Sequence, residues 1–245
     1  MKNLAFTSLI MLLFFAGCEK KEFIRSSTII IGNNTNLHVS NVNANVSYHY
    51  NTPKTVCLDL NNDKKYDIKF TSYEWGSSGM GIHYDLDMII TNPNLQVMVK
   101  QTIDTLFYKK VTTSYTDNDN KLHININHYY FYSGTIKPNH DSIIKISSNN
   151  KLCLLNKGEQ ISLNTDFNSD DVKLYESPKI LYQYYSSGAD TIYHINTINF
   201  PNLPKIPYDT SSYIGFKFNN SNKLGWIKIR FNNQPLYIDN TAIQL

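Results

Sequence analysis

The stretch Asp59-Leu60-Asn61-Asn62-Asp63-Lys64-Lys65-Tyr66-Asp67 holds the residues whose types and spacing point most directly to chemistry. Side-chain oxygens stand at loop positions one, three, five and nine (Asp59, Asn61, Asp63, Asp67), and position seven, Lys65, offers its carbonyl. Calcium takes about six to eight oxygens at roughly 2.3–2.6 Å, and alternating Asp and Asn in a tight loop can aim that many at one centre. A turn with no ion can produce the same string, because Asp and Asn side chains also cap their own backbone. Position twelve is Phe70 rather than Glu, and Lys64 stands where such loops carry Gly. A positive φ at Lys64 would cost about 1 kcal/mol.

Acid–base candidates are sparse. His83, Asp85 and Asp87 alternate along one strand-like run, which places them on one face, with Ile82, Tyr84, Leu86 and Met88 on the other. The row reads as a solvated face opposite a core face, and no residue is assigned a catalytic role. A nucleophile elbow and a phosphate-binding glycine loop are both lacking. His123 and His128 lie five apart on a strand pattern and so point to opposite faces, which is no zinc spacing.

The N-terminus sets an address. Lys2 precedes an apolar run from Leu4 to Phe15, and Phe15-Ala16-Gly17-Cys18 closes it. Small residues before a cysteine resemble a bacterial lipobox, which implies a signal peptide over 1–17, a lipid on Cys18 and a tether over 18–27. Glu19, rather than Asp, follows the cysteine, which implies the outer membrane. The membrane is then a partner through the anchor, and the protein does not span it. In that oxidising compartment Cys57 and Cys153 can be a disulfide or two buried thiols, and the spacing leaves both open.

Composition decides the elements that must carry these groups. The chain has 31 Asn and 18 Tyr against five Ala and five Glu, rich in turn and strand formers and poor in helix formers. A formal charge of +3 without Lys/Arg clusters excludes a nucleic-acid surface. Period-two runs bounded by Asn, Asp, Ser and Gly predict an all-β chain over 28–245, an antiparallel β-sandwich, two packed sandwiches or an extended meander. Asp117–Asn120 and Asn219–Asn222 predict hairpin turns, and Pro201, Pro204 and Pro207 an extended crossover to a C-terminal meander.

With strand patterns on both sides, the 59–67 loop is similar to the calcium hairpins of FG-GAP and integrin-type repeats and to dockerin loops. Together with Tyr213-Ile214-Gly215-Phe216-Lys217-Phe218 and Leu224-Gly225-Trp226-Ile227-Lys228-Ile229, it resembles a set of secreted or lipid-anchored β proteins of Gram-negative bacteria. That resemblance implies calcium as the cofactor and no established activity. Gly225 and Trp226 read as a core anchor or, less simply, as a ligand-binding ring. Tyr129-Tyr130-Phe131-Tyr132 and Tyr182-Gln183-Tyr184-Tyr185 must put rings on both sheet faces, where outward Tyr can hold a glycan or a protein. Asp104-Thr105-Leu106, Asp141-Ser142-Ile143 and Asp190-Thr191-Ile192 look like bacterial O-glycosylation acceptors at Thr105, Ser142 and Thr191. The expectation is an outer-membrane lipoprotein serving as a binding or structural module, with a secreted hydrolase acting on glycans or other polymers as the alternative.

Overall fold

The computed structural model describes residues 26–49, 52–77, 81–133, 142–188, 190–203, 206–207, 209–232 and 236–245. Cys18, the leader and most of the tether lie outside these residues, as does the side chain of Ser142. No helix occurs among them. The strands are β1 (Thr28–Ile30), β2 (Leu37–Val46), β3 (Lys54–Leu58), β4 (Ile68–Ser77), β5 (Gly81–Ile90) and β6 (Leu95–Thr116). They continue as β7 (Leu122–Ser133), β8 (Ser142–Leu152), β9 (Leu154–Leu155), β10 (Gln160–Ser162), β11 (Phe167–Asn168) and β12 (Val172–Glu176). The rest are β13 (Lys179–Ser187), β14 (Thr191–Asn199), β15 (Ser211–Phe218), β16 (Lys223–Phe231) and β17 (Leu236–Gln244).

The body is an all-β sandwich. Its central sheet runs β6-β15-β16-β17-β2, and the sheet β12-β5-β4-β3 packs on one face. Alternation puts Ile214, Phe216, Ile227 and Ile229 of the first sheet against Ile68, Phe70, Leu86 and Met88 of the second, all fully buried. Each such side chain stabilises the fold by about 1.5–3 kcal/mol. The opposite face of the central sheet carries Trp226, Tyr213 and Leu224, which the small β1–β10 sheet covers with Ile29 and Ile161.

Trp226 is a core anchor, 2% exposed and edge-on to Tyr213. Its neighbour Gly225 faces Phe216 across the β15–β16 ladder. A Cβ there would run into the Phe216 ring and the Ala242 carbonyl. Absence of a side chain is therefore what lets the ring lie flat on the strand.

The second half of the long strand β6 leaves this body. From Thr105 onward it pairs with β7, and the order continues outward through β14 to β13. The β6–β7 and β15–β16 turns fall at the Asn/Asp clusters, with positive φ at Asn120 and Asn222. One pairing departs from the antiparallel expectation: β14 lies parallel to β7 over nine registered pairs. A parallel neighbour needs a long connection, and the chain from β7 to β14 passes back through the body by way of β8 to β12. No described residue of β7, β13 or β14 is buried, and none joins either core. These strands with distal β6 form a wing.

Two expectations at the start of β5 need correction. Ile82 is 55% exposed rather than in the core, and His83 is buried rather than solvated. The first residues of β5 pair with the last of β4 there, and among the described residues no further strand pairs with them, while Trp75 stacks on His83 at 4.4 Å between ring centroids.

Gly225→Ala should destabilise the protein by about 2–4 kcal/mol, the range of a clash that ring and backbone cannot relieve. Gly215→Ala, whose Cβ would meet the terminal methyl of Ile161 at 2.8 Å rather than a ring and a backbone carbonyl, should cost less than half as much. Urea denaturation of both variants measures the contrast.

Candidate functional site

The 59–67 loop closes on its own first residue. Asp59 accepts the amides of Asp63 and Lys64 at 3.2 and 2.7 Å, Asn61 accepts the Asp63 amide at 3.0 Å, and Asp63 accepts the Lys65 amide at 2.9 Å. Lys64 does take the left-handed conformation, φ 68°, as does Asn62 at 62°. The structure thus gathers Asp59, Asn61, Asp63 and the Lys65 backbone into one exposed turn.

Asp67 is treated differently. It is fully buried and its carboxylate brackets the loop, accepting the Leu60 amide at 2.7 Å and the Asn92 carboxamide at 2.6 Å. Burial pushes its carboxyl above the ordinary value against those two bonds, and the charges of Asp63 and Asp59 push the same way. Among the described residues no three His, Cys, Asp or Glu side chains are already gathered as a metal centre.

The wing carries a second polar constellation, invisible in the sequence because its members come from four strands and a turn. Register places Tyr115, His123, His194, Tyr184 and Tyr182 on one face. Asp117 meets His123 Nε2 at 2.8 Å, His123 Nδ1 meets His194 Nε2 at 3.0 Å, and His194 Nδ1 meets the Tyr182 hydroxyl at 2.7 Å. The hydrogen bond from His123 holds the Asp117 carboxyl below its usual value, so Asp117 is the acceptor. With both rings neutral, one assignment satisfies every atom: Tyr182 donates to His194, His194 to His123 and His123 to Asp117.

On the opposite face, where the wing meets the body, lies a cavity of about 410 Å³. Tyr130, Tyr132 and Leu106 of the wing form one wall, and Phe200, Pro201 and Asn202 after β14 form another. Glu176 and Lys179, at the passage from β12 to β13, close the rim. Glu176 Oε1 takes both Lys179 and Lys173, at 3.0 and 3.4 Å. Burial pushes the Glu176 carboxyl up, but these two lysines outweigh it and hold it below the ordinary value.

Beneath the cavity sits Asp104, 3% exposed. It accepts Lys151 at 2.7 Å, Asn202 at 2.9 Å and Asn149 at 3.0 Å. Asn202 in turn accepts a bond from Lys151, so the segment carrying Phe200 and Pro201 is tied to the root of the wing. Burial raises the Asp104 carboxyl, yet the bonds from Lys151, Asn202 and Asn149 and the Lys151 charge bring it down to about 2.

The remaining candidates scatter. Thr105 is half-buried in mid-strand beside this network, and Thr191 is half-buried at the start of β14. Cys57 and Cys153 are free, half-buried thiols, and burial raises that of Cys153. Asp85 faces Lys173 at 3.8 Å and the Trp75 indole at 3.4 Å. Comparison with protein families, with curated proteins and with solved structures gave no match.

Because the Asp104 carboxyl lies near 2 when folded against an ordinary 3.8, it adds stability that is complete above about pH 4 and is lost as pH falls towards 2. The shift corresponds to roughly 2 kcal/mol. Asp104→Asn should lower stability at pH 7, leaving the Lys151 ammonium without its counter-charge, and should flatten the acid limb between about pH 4 and pH 2 by about that amount. Denaturant titrations across that range measure it.

Proposed function

We propose that this chain is an outer-membrane lipoprotein that binds glycan, its loop stiffened by calcium and its wing serving as the binding element. The observation that carries the reading is the wing itself. Its strands add nothing to either core, and Leu181, Tyr182, Tyr184 and Tyr185 of β13 are all exposed. Alternation puts Tyr182 and Tyr184 on one face of the wing and Leu181 and Tyr185 on the other, and exposed apolar surface on an element that packs in no core favours a role in contact with something else. The rings are mostly Tyr, which joins a flat apolar face to a hydroxyl and suits a ligand that is apolar on its faces and polar at its edges.

In this reading calcium is held by Asp59, Asn61, Asp63 and the Lys65 carbonyl, with Asp67 giving the lone pairs that Leu60 and Asn92 leave. The donor set fits a hard cation: oxygen only, with a left-handed turn at Lys64 despite its cost. The ion would offset the mutual repulsion of Asp59, Asp63 and Asp67 and do no chemistry. Cys18 supplies the anchor, on the strength of the apolar run and the small residues before it.

Native affinity electrophoresis of the full-length chain, solubilised in a zwitterionic detergent, tests the binding reading. Mobility should fall in gels containing at least one of dextran, mannan or xylan, and unchanged mobility in all three would refute it. For the ion, about 1 mM calcium at about 0.1 mM affinity stabilises by roughly 1.4 kcal/mol, a melting shift of about 3–6 °C. Magnesium should not reproduce the shift and Asp63→Ala should abolish it. Equal melting in calcium and chelator would leave the loop a self-capped turn. For the anchor, the full-length chain should enter the detergent phase on phase separation and Cys18→Ala should stay aqueous; an aqueous native chain after processing would refute lipidation.

A further inference from the structure

We infer that the cavity at the root of the wing is the site that receives a neutral sugar unit of the ligand, an inference that rests on the binding reading above. Three observations converge on that chemistry. First, the wall-forming side chains Leu106, Tyr130 and Tyr132 share one sheet face with Asn199, and the rings of Tyr132 and Phe200 are 37% and 40% exposed. Two open aromatic rings at a cavity of about 410 Å³ can hold a pyranose by its C–H face.

Second, polar capacity at the cavity is unspent. Among the described residues the carboxamide of Asn199, the hydroxyls of Tyr130 and Tyr132 and the second oxygen of Glu176 make no hydrogen bond, although Glu176 Oε1 is engaged twice. Vicinal sugar hydroxyls both donate and accept, and this set supplies donors and acceptors alike.

Third, the charges there cancel. Lys179 is matched by Glu176, and Lys173 by Glu176 and Asp85, so a charged ligand would meet no unpaired counter-charge. A phosphorylated or acidic sugar therefore gains nothing, and a neutral one loses nothing. The wall is also preorganised: Asn202 is fixed by Asp104 and Lys151, which holds Phe200 and Pro201 in place before any ligand arrives.

Titration of the full-length chain in zwitterionic detergent, followed by intrinsic fluorescence and calorimetry, tests this with maltotetraose, mannotetraose, xylotetraose and tetragalacturonate. At least one neutral tetrasaccharide should bind, and tetragalacturonate should bind at least tenfold more weakly. Tyr132→Ala and Asn199→Ala should each weaken binding tenfold or more without moving the melting temperature, while Leu245→Ser, exposed after β17 on the side of the central sheet away from the wing, should leave it unchanged. Binding that persists within twofold in both cavity variants would overturn this assignment and leave the glycan-binding reading standing, as would retardation of the native chain and both variants alike in polysaccharide gels. Preference for tetragalacturonate would overturn the neutral-sugar assignment, and absence of binding to every sugar here and in the gels would overturn both.

Discussion

Strand β6 runs for 22 residues, and every amide along it must find a partner although only its first third lies in the packed body. That requirement organises the molecule. At its start β15 and β11 supply the partners, in the middle β8, and at the far end β7, with β8 and β7 flanking it together around Thr105 to Tyr108. A strand rises about 3.3 Å per residue, so β6 spans roughly 70 Å and carries the sheet well beyond the sandwich. The hydrogen-bond ladder continues where the hydrophobic core does not.

Such an extension needs support at its root. The β6–β8 register slips between Leu106 and Phe107, next to the point where the wing begins. There Asp104 ties β6, β8 and the segment after β14 together through Lys151, Asn149 and Asn202. A buried carboxylate is costly unless it is paired and hydrogen-bonded, and this one is both. Farther out, cross-strand contacts take over: Phe107 on Phe131, Tyr115 on His123 and Tyr185 on Tyr193 are all stacked pairs. The Asp117–His123–His194–Tyr182 chain adds a polar stitch across three strands. Together these replace a second layer and leave aromatic surface open on both faces.

The sequence by itself determined what depends on neighbours along the chain. Sparse Ala and Glu with period-two alternation made the chain all-β, and Asp117–Asn120 and Asn219–Asn222 became turns because Asn and Asp tolerate positive φ and cap themselves. Gly225-Trp226 was legible as a core anchor for the same local reason. Strand β2 was not legible: Leu37–Val46 is half Asn, Ser and His, and it holds its strand only because β17 pairs with it along its length. The rest of β6 was not legible either, since no residue of Thr102–Thr116 joins a core cluster that would impose alternation.

Tertiary structure alone decided the rest. Whether β14 would lie parallel to β7 depends on where a crossover of nearly sixty residues delivers it, and without that pairing His123 and His194 never meet. The cavity has the same origin, because Tyr130, Asn199 and Glu176 belong to separate strands whose adjacency no local pattern encodes. Asp104 began as the first residue of a candidate acceptor tripeptide and became the buried anchor of the wing. In the 59–67 loop the spacing told which oxygens were available, and the fold decided their burial, turning Asp67 inward to bracket the loop through Leu60 and Asn92 while Asn61 and Asp63 stay exposed. Local propensity acts over a few residues, whereas a site is assembled by hydrogen-bond ladders and burial that join distant ones.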